Sequence, residues 1–517
     1  MEALNLTEDE LDALIERAES GRLADGDVDT IKAMINAVKV LSRAVSDKAS
    51  SIKKLLAMVF GPKTEKKDKV LKNRPPGTRN QDKSTTIKGH GRRAADDFTG
   101  AGRQSVTHGD LKHKDTCPEC LKGIIYRLKK PGRVICFTGQ VPVTATVYEL
   151  EKLRCNLCGM VFTAKAPEDR TGRDYDASAL AMIAILKYGC GFPWSRLEKL
   201  QESFGIPLPA TTQWDKSETA ADLIYPVFRE LAYQAAQGEV FHNDDTTMKI
   251  LSLMKENKDR TAGERTGIFT TGIISRFDDG RQIALFYTGR NHAGENISNL
   301  YRKRDAGRPA PLQMCDALSR NISEAFKAIL CNCLTHARRN FVDEIDNFPD
   351  EAAYVIEMLA EVYCIDARTK EQKMSPDQRI VYHKKHSGPL MTELEAWLNR
   401  QTDENLVEPN SGLGKAITYM KNHWAKLTRF LEIPGAPLDN NICEQSLKRC
   451  IQHRKNSLFY RTEHGAFIGD MFMSLIHTCR LMRINPLDYL VTLIQNSSAL
   501  FKDPSKWLPW NYKDNAL

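Results

Sequence analysis

The sequence predicts a multidomain protein built around an α/β domain. The chain of 517 residues is longer than a single hydrophobic core usually holds. Strand patterns occur at 239–251, in GIFTTGIISRF and in QIALFYTGR, and strand and helix patterns alternate after them. An antiparallel three-stranded meander followed by βα units is the order of a ribonuclease-H-like α/β domain, whose first strand lies beside the later strand LQMC.

The composition limits the classes of protein to consider. Hydrophobic residues make up 41% of the chain, enough for globular folding, and 74 basic against 66 acidic residues give a net charge of +8. The 13 cysteines mostly occur singly among apolar neighbours, and no charged-then-apolar leader opens the chain, so we expect a cytoplasmic protein without a disulfide scaffold. No apolar run approaches the roughly 18 residues that a membrane span requires.

The first 114 residues predict a coiled coil at 1–60 and a basic linker at 61–114. Between 31 and 59, β-branched residues recur every seven positions and mostly Leu or Met fills the second seam position, which favours a parallel dimer. Lys48 in this seam would cost stability while fixing the register. An amphipathic helix lying on its own domain is the alternative. The linker either tracks DNA phosphates or acts only as a solvated tether.

Residues 115–168 predict a zinc-binding module. Two Cys-x-x-Cys pairs flank a segment with several strand patterns, and two such pairs can close a tetrahedral thiolate site. A redox-active Cys-x-x-Cys is the main alternative. The predicted ligands of this structural zinc ion are Cys117, Cys120, Cys155 and Cys158.

Residues 169–237 show helical periodicity, with Gly205 between two of the predicted helices. Two helices joined by a short turn are compatible with helix-turn-helix DNA binding, and any three-helix bundle gives the same pattern. The candidate reading helix carries Thr211, Thr212, Gln213 and Lys216.

The α/β domain is predicted in two parts separated by an insertion. Its first part is 238–348 and its closing part is 432–495. The segment between them, 349–431, is helical and charge-rich without strand patterns, so it predicts an all-α insertion. The last residues, 496–517, are predicted to form a C-terminal tail.

Three carboxylates are the candidate catalytic groups. Asp244 lies in the first strand of the meander, Asp316 follows LQMC before a helix predicted near Ser319, and Glu444 lies near the start of a later helix. Brought together, three carboxylates can hold two divalent cations about 4 Å apart, the arrangement that in-line phosphoryl transfer uses. Asp245 is expected on the other face of the strand, because successive side chains alternate.

Each acid also has a purely structural interpretation. Glu444 matches a capping box that begins at Asn441, Asp244 could be one more edge-strand residue, and Asp316 could cap the helix after it. Nearby basic residues favour the joint interpretation, because phosphates at a metal centre need neutralising. The candidate DNA-binding residues are His336, Arg338, Arg339, Lys448, Arg454 and Lys455.

Together these segments resemble the large transposase of the insertion-sequence 66 family over nearly the whole chain. The matching motifs include KGHGRRAADDFTG, the two Cys-x-x-Cys pairs, HNDDT, LQMCD, CLTHARRNF, PLDNNICEQSLKRCIQHRKNSLF and SLIHTCRLMRINPLDYL. The family usually has Asp-Glu-Thr where this chain has Asp244-Asp245-Thr246. This difference is conservative and falls on the strand face away from Asp244.

The resemblance implies a DDE transposase with the triad Asp244, Asp316 and Glu444 in a ribonuclease-H-like domain. It implies Mg²⁺- or Mn²⁺-dependent cleavage at the terminal repeats of a bacterial element, followed by in-line transfer of the 3′ ends to target DNA. It further implies a nucleoid-associated dimer or higher oligomer, with accessory proteins of the same element as partners. A zinc-containing DNA-binding protein without catalysis, such as a regulator or a decayed transposase, is the alternative. A non-transposing nuclease on the same fold is a third class.

Overall fold

A computed structural model of the chain describes residues 103–108, 110–128, 140–154, 156–158, 160–165, 175–261, 263–323 and 326–515, with scattered positions between 14 and 31. The chain divides into two compact units, residues 1–79 with 345–357 and residues 80–344 with 358–517. In the first unit, Arg17 donates two hydrogen bonds to the carboxylate of Asp27, at 2.9 and 3.1 Å. The predicted coiled-coil pattern beyond residue 31 and most of the basic linker lie outside the described residues.

The described strands form a two-stranded sheet and a five-stranded sheet. They are β1 Lys152–Arg154, β2 Val161–Thr163, β3 Val240–Thr247, β4 Phe269–Arg276, β5 Gln282–Gly289, β6 Leu312–Cys315 and β7 Ile329–Asn332.

Helices fill most of the remaining described chain. None of the helices in the described part combines the length and apolar character that crossing a bilayer needs. A π-helical turn at Ile185–Gly189 continues the first helix. The helices are α1 Ala177–Ala184, α2 Trp194–Ser203, α3 Ala210–Ala236, α4 Leu251–Glu256, α5 Ala293–Tyr301, α6 Leu334–Val342, α7 Pro349–Glu371, α8 Pro376–Asp403, α9 Gly412–Leu427, α10 Asn441–Ser457, α11 Glu463–Leu481, α12 Pro486–Gln495 and α13 Ser497–Leu500.

Side-chain caps fix where several helices begin. The side chains of Asp176, Ser411 and Thr462 each accept a hydrogen bond from the backbone N–H three residues later. Ser375 and Gln378 form a reciprocal capping box at the start of α8. Each cap satisfies a backbone donor that the helix itself leaves unpaired, and caps of this kind contribute about 1 kcal/mol each.

The five-stranded sheet has the order β5-β4-β3-β6-β7. Strands β3, β4 and β5 pair antiparallel, which confirms the predicted meander. Strand β3 pairs parallel with β6, and β6 pairs parallel with β7. The carboxyl ends of β3 and β6 therefore lie side by side, as expected for the two strands that lead to Asp244 and Asp316.

Two predicted elements differ from the structure. The strand expected over 239–251 ends at Thr247, and Ile250 pairs instead with Tyr460 before α4 begins. The helix expected near Ser319 is a single 3₁₀ turn, and the apolar residues after it form β7. A short apolar run fits a helix and a buried strand equally well, so its place in the sheet decides.

Helices cover both faces of the larger sheet. On one face, α10 packs against β3 and β4. On the other face, Asn296 of α5 donates a 2.8 Å hydrogen bond to Thr271 of β4. The end of α3 reaches that second face, where the carbonyl of Ala235 accepts a 2.7 Å hydrogen bond from Ser275. The architecture is thus a mixed α/β domain with a helical layer on each side of the sheet.

Helix α11 runs along β5, the edge strand of the meander. Backbone N–H groups of alternate β5 residues donate to side-chain oxygens spaced four residues apart on α11. Four helical residues rise about 6 Å and two strand residues about 6.8 Å, so the two repeats nearly match. The helix thereby satisfies donors that an edge strand leaves unpaired. The pairs are Ala284 with Thr478 at 3.0 Å, Phe286 with Ser474 at 3.0 Å, and Thr288 with Asp470 at 2.5 Å.

Helices α7, α8 and α9 and a 3₁₀ turn at Arg429–Leu431 occupy the segment predicted as an all-α insertion, 349–431. Helix α9 packs against α6 and β7, which places this helix beside the sheet. The segment predicted as a C-terminal tail is instead part of the core. Trp507 and Leu508 are buried, and the Tyr489 hydroxyl donates a 2.8 Å hydrogen bond to the Trp507 carbonyl.

Candidate metal centre and nucleic-acid interface

Asp244 and Asp316 lie beside each other on two neighbouring strands, at the point where β6 ends. In the parallel β3–β6 pair His242 is opposite Met314, and the same offset places Asp244 level with Asp316, the first residue after β6. The side-chain amide of Asn321 donates to Oδ1 of both acids, at 3.3 Å for Asp244 and 2.6 Å for Asp316. Two bonds of these lengths from one nitrogen keep the two oxygens within about 6 Å of each other.

Glu444 lies in the first turn of α10. The helix starts after Asn440, and the side chain of Asn440 makes no capping hydrogen bond. The capping box expected from Asn441 to Glu444 is therefore wrong, because the helix begins one residue earlier than that motif requires. The buried Oε1 of Glu444 has no hydrogen-bond partner among the described residues, which leaves it available to a ligand.

The close approach of α10 to the sheet depends on Gly272. This glycine pairs with Asp244 across β3 and β4, and a Cβ added to it would lie 3.1 Å from the Leu447 side chain. The thiol of Cys443 donates a 3.3 Å hydrogen bond to the Gly272 carbonyl. Helix α10 therefore lies directly on the sheet next to Asp244, and this brings Glu444 to the same face.

Burial and neighbouring charges both act on Asp244. The pKa of Asp244 is raised from 3.8 to about 7, chiefly by burial. The charges of Asp316, Asp245 and Glu444 raise the pKa as well, and a 2.8 Å hydrogen bond from the backbone N–H of Asp245 opposes them. A buried carboxylate close to other carboxylates gains stability when a cation binds between them.

Buried amide side chains that the sequence analysis did not select connect the segments carrying the acids. Asn440 donates a 3.1 Å hydrogen bond to the carbonyl of Asn243, which precedes Asp244. The backbone carbonyl of Asn321 accepts hydrogen bonds from Asn243 at 2.7 Å and Gln313 at 2.9 Å. The pair Asn440 and Asn441 in PLDNN is visible in the sequence, but the role of Asn440 becomes clear only from the packing of α10 against β3.

Asp245 faces the opposite side of the sheet from Asp244, as strand alternation predicts. Its side chain is 2% exposed and pairs with Nδ1 of His292 at 2.9 Å and with Arg320 at 3.7 Å. Its partner in β4 is Thr271, which contacts α5. Asp245 therefore fixes α5 and the turn after β6 and does not join the other acids.

The predicted DNA-binding residues of α10 have different surroundings. Lys448 and Lys455 are exposed, and their spacing of four and eleven residues from Glu444 places all three on one side of the helix. Arg454 instead donates to the carbonyl and the hydroxyl of Thr247, at 2.7 Å for the hydroxyl. The guanidinium therefore holds the end of β3, and its contact with a DNA phosphate stays a prediction.

The predicted residues of THARRNF lie on α6. Arg338 is buried at 8% exposure, so the prediction that it contacts DNA is wrong. Arg339 is partly exposed. Nδ1 of His336 lies 3.7 Å from Oε1 of Glu444. Ligand atoms of Cys333, His336 and Glu444 all lie within 4.8 Å of one another.

The first half of the predicted zinc module forms a tight turn. The backbone N–H of Cys117 donates a 2.8 Å hydrogen bond to the Gly123 carbonyl. The N–H of Gly123 donates to Sγ of Cys120 at 3.4 Å. The backbone N–H groups of Lys122 and Gly123 lower the pKa of the Cys120 thiol, which favours the thiolate that metal binding requires.

The second half of the module follows β1 and precedes β2, which pair antiparallel. Cys155 lies outside the described residues. Among the residues that are described, Cys158 does not form a close group with Cys117 and Cys120. Strand β1 lies between the two Cys pairs, and the other strands expected there are absent from the described part of that stretch, apart from a single bridge between Thr116 and Ile124.

The candidate reading helix is the start of α3. Gln213 is buried and donates hydrogen bonds to the carbonyls of Leu208 at 2.8 Å and Trp194 at 3.3 Å, so it cannot read a base. Thr211 is exposed, and the Lys216 ammonium lies 4.9 Å from the centre of the Tyr175 ring.

The donor set around Asp244 fits hard divalent cations. Two carboxylates share one hydrogen-bond donor, and a third presents a buried oxygen without a hydrogen-bond partner in the described structure. Carboxylate oxygens are the ligands that Mg²⁺ and Mn²⁺ prefer.

Comparison with known proteins decides the family. The family model described as Transposase IS66 family matches residues 173–467, which is more than half of the chain. The chain belongs to this transposase family. It is also similar to uncharacterized proteins of Sinorhizobium fredii. Protein y4jD is 28% identical over 383 residues, covering 69% of this chain and 71% of the relative, and y4hP is 24% identical over 413 residues, covering 75% and 72%.

Membership in the IS66 transposase family gives the chain a transposase role, with DNA as its partner. Transposases of this family type generally use a divalent metal ion. The matched region contains Asp244, Asp316, Glu444 and the all-α insertion, whereas the Cys-x-x-Cys pairs precede it.

Proposed function

We propose that this IS66-family protein is a DDE transposase whose Asp244, Asp316 and Glu444 hold two divalent cations, Mg²⁺ or Mn²⁺. It would cleave DNA at the ends of its insertion sequence and join the freed 3′ ends to target DNA. The observation that carries the proposal is the single Asn321 amide that bonds both Asp244 and Asp316. Carboxylate oxygens within about 6 Å of each other suit two metal ions that lie about 4 Å apart. The antiparallel meander and the parallel β3–β6 pair support a ribonuclease-H-like fold for this domain.

The protein side chains would perform distinct tasks in this reaction. When bound, the cations supply charge neutralisation and Lewis-acid activation for in-line attack on a phosphodiester. Asp244 gives up a proton as the cations bind, because its pKa is about 7 in the metal-free protein. Asn321 keeps the two aspartates at a fixed spacing. Lys448 and Lys455, exposed on the Glu444 side of α10, neutralise the phosphates of the bound strand.

We also propose roles for the flanking parts. The predicted coiled coil at 1–60 would make a homodimer, and the module at 115–168 would hold a structural zinc ion on Cys117, Cys120, Cys155 and Cys158. The hydrogen bond from Gly123 to Cys120 supports the zinc assignment, since thiolate ligands commonly accept from the backbone of such a turn. Metal analysis tests it: C117S with C120S should contain one zinc ion per chain fewer than the native protein, and equal zinc contents would contradict the assignment.

The catalytic proposal is tested by substituting each acid. D244A, D316A and E444A should abolish Mg²⁺-dependent cleavage of DNA carrying the element's ends while sparing binding to it. The matched control is D245N, which alters the neighbouring acid on the other face of β3 and should keep cleavage within roughly tenfold of the native rate. Full cleavage by D244A would remove that residue from the triad.

The products separate the alternative functions. Binding without cleavage by the native protein in Mg²⁺ would indicate a DNA-binding protein without catalysis. Cleavage without joining of donor 3′ ends to target DNA would indicate a nuclease.

A further inference from the structure

A mixed group of ligand-type side chains lies next to the proposed triad. Sγ of Cys333, a ring nitrogen of His336 and a carboxylate oxygen of Glu444 all lie within 4.8 Å of one another. Nδ1 of His336 and Oε1 of Glu444 are buried, and neither has a hydrogen-bond partner among the described residues. Two buried polar atoms therefore point at the same small volume without being satisfied there.

The backbone holds these three residues in place. Cys333 is the N-cap of α6 and His336 lies in the first turn, so both side chains lie at the start of one helix. Sγ of Cys333 accepts a 3.3 Å hydrogen bond from the backbone N–H of Asn440, the N-cap of α10. The N–H of Leu334 donates a 3.0 Å hydrogen bond to the carbonyl of Leu438. The starts of α6 and α10 are thus joined, and Glu444 faces Cys333 and His336.

The donor atoms distinguish this group from the centre at Asp244. One thiolate, one imidazole and one carboxylate suit a borderline-soft ion such as Zn²⁺, whereas Mg²⁺ prefers oxygen ligands alone. Bonds of 2.0 to 2.3 Å in a tetrahedron separate ligand atoms by roughly 3.3 to 3.8 Å. The 3.7 Å distance from His336 to Glu444 already fits that range, and a shift of about 1 Å would bring Cys333 into it.

We propose that Cys333, His336 and Glu444 form a Zn²⁺ site that withdraws Glu444 from the catalytic cations and so inhibits strand cleavage. A Glu444 carboxylate bound on the Cys333 side leaves the catalytic centre with two acids in place of three. The inhibitory effect rests on the proposed function, whereas ion binding at the group does not.

Cobalt spectroscopy tests ion binding without any need for activity. The full-length protein, first loaded with a single equivalent of zinc per chain, which the four thiolates of the Cys-x-x-Cys module take up, is titrated with Co²⁺. A thiolate bound to Co²⁺ gives a near-ultraviolet charge-transfer band, so the native protein should gain this band with one equivalent. C333S should lack it. The matched control is C331S, which changes another buried cysteine two residues earlier and should keep the band. A native protein without the band, or a band of equal strength in C333S, overturns the proposal.

Inhibition is measured separately, with Zn²⁺ added to Mg²⁺-dependent cleavage. The native protein should be inhibited, and C333S should need at least roughly tenfold more Zn²⁺ for the same effect. H336Q is a second variant with the same expectation, in case C333S folds poorly. Equal inhibition of native and variant proteins contradicts the inhibitory role. If the native protein gives the cobalt band but never cleaves DNA, the proposed function is contradicted and the ion site is supported.

Discussion

The side-chain amide of Asn321 donates a 2.6 Å hydrogen bond to Oδ1 of Asp316. The same nitrogen lies 3.3 Å from Oδ1 of Asp244. Asn321 is fully buried in the 3₁₀ turn after β6, and its backbone carbonyl is fixed by two further hydrogen bonds. A rigid turn therefore sets the spacing of two acids that come from different strands.

Removing this amide should weaken metal binding. In N321A the two aspartates lose their shared donor, and partners of this kind typically change metal affinity 10- to 100-fold. We expect a Mg²⁺ titration of cleavage to shift to higher concentration by about that factor. N299A, on the exposed side of α5, is the control and should behave like the native protein. An unchanged Mg²⁺ dependence in N321A would show that the amide does not position the acids.

Mg²⁺ binding should depend on pH near neutrality. A proton and a cation compete for Asp244, whose pKa is raised to about 7 chiefly by burial. Affinity should fall about tenfold for each pH unit below 7 and level off above it. Calorimetric titrations between about pH 5.5 and about pH 8.5 measure this. An affinity that stays constant across that range contradicts the assignment.

The same pKa shift predicts a change in stability without metal. The pKa of Asp244 is higher in the folded protein than its ordinary value of 3.8, so its contribution to stability is complete below about pH 4 and is lost as pH rises through about 7. D244N lacks this titration. In EDTA, D244N should therefore gain stability relative to the native protein over this range, by up to about 4 kcal/mol. Thermal unfolding at several pH values measures the difference, and a constant difference would refute the shift.

Lys448 and Lys455 should act on DNA through charge alone. Each phosphate contact that is lost lowers the slope of log affinity against log salt by about 0.9. The double variant K448A with K455A should bind DNA more weakly, with a slope reduced by nearly two such steps. Fluorescence anisotropy at several salt concentrations gives the slope. K258A removes an exposed lysine from the turn after α4 and is the control. Equal slopes for native and double-variant proteins would place the DNA elsewhere.

The contact between α11 and β5 should contribute measurably to stability. In T478V the backbone N–H of Ala284 loses its acceptor while the side chain keeps its shape. A buried donor left unpaired costs about 1 to 3 kcal/mol. Chemical denaturation should show this loss for T478V. T219V, an exposed threonine of α3, should change little. A T478V midpoint equal to that of T219V would mean that the N–H finds another acceptor.

Much of the fold could be predicted because its signals are local. Alternating apolar residues predicted the meander, and helical periodicity predicted the helices that occupy 349–431. The helix expected near Ser319 was wrong because a short apolar run carries no period of its own, and only its place beside β6 makes it a strand.

The acids were easier to predict than the residues that support them. An acid next to an apolar strand is visible in sequence, whereas a buried amide such as Asn321 or Asn440 looks like any loop residue. The prediction for Arg338 failed in a related way. Charge near an acid does not reveal burial, and Arg338 lies inside the protein.

The hydrogen bonds from β5 to Asp470, Ser474 and Thr478 of α11 also matter when several copies of the chain crowd together. Open sheet margins recruit strands from neighbouring molecules, which leads to fused sheets and insoluble aggregates. On the β5 side, the outward backbone N–H groups already donate to side chains of α11 in the same molecule. Copies of the chain at high concentration can therefore associate through other surfaces without their sheets merging at β5.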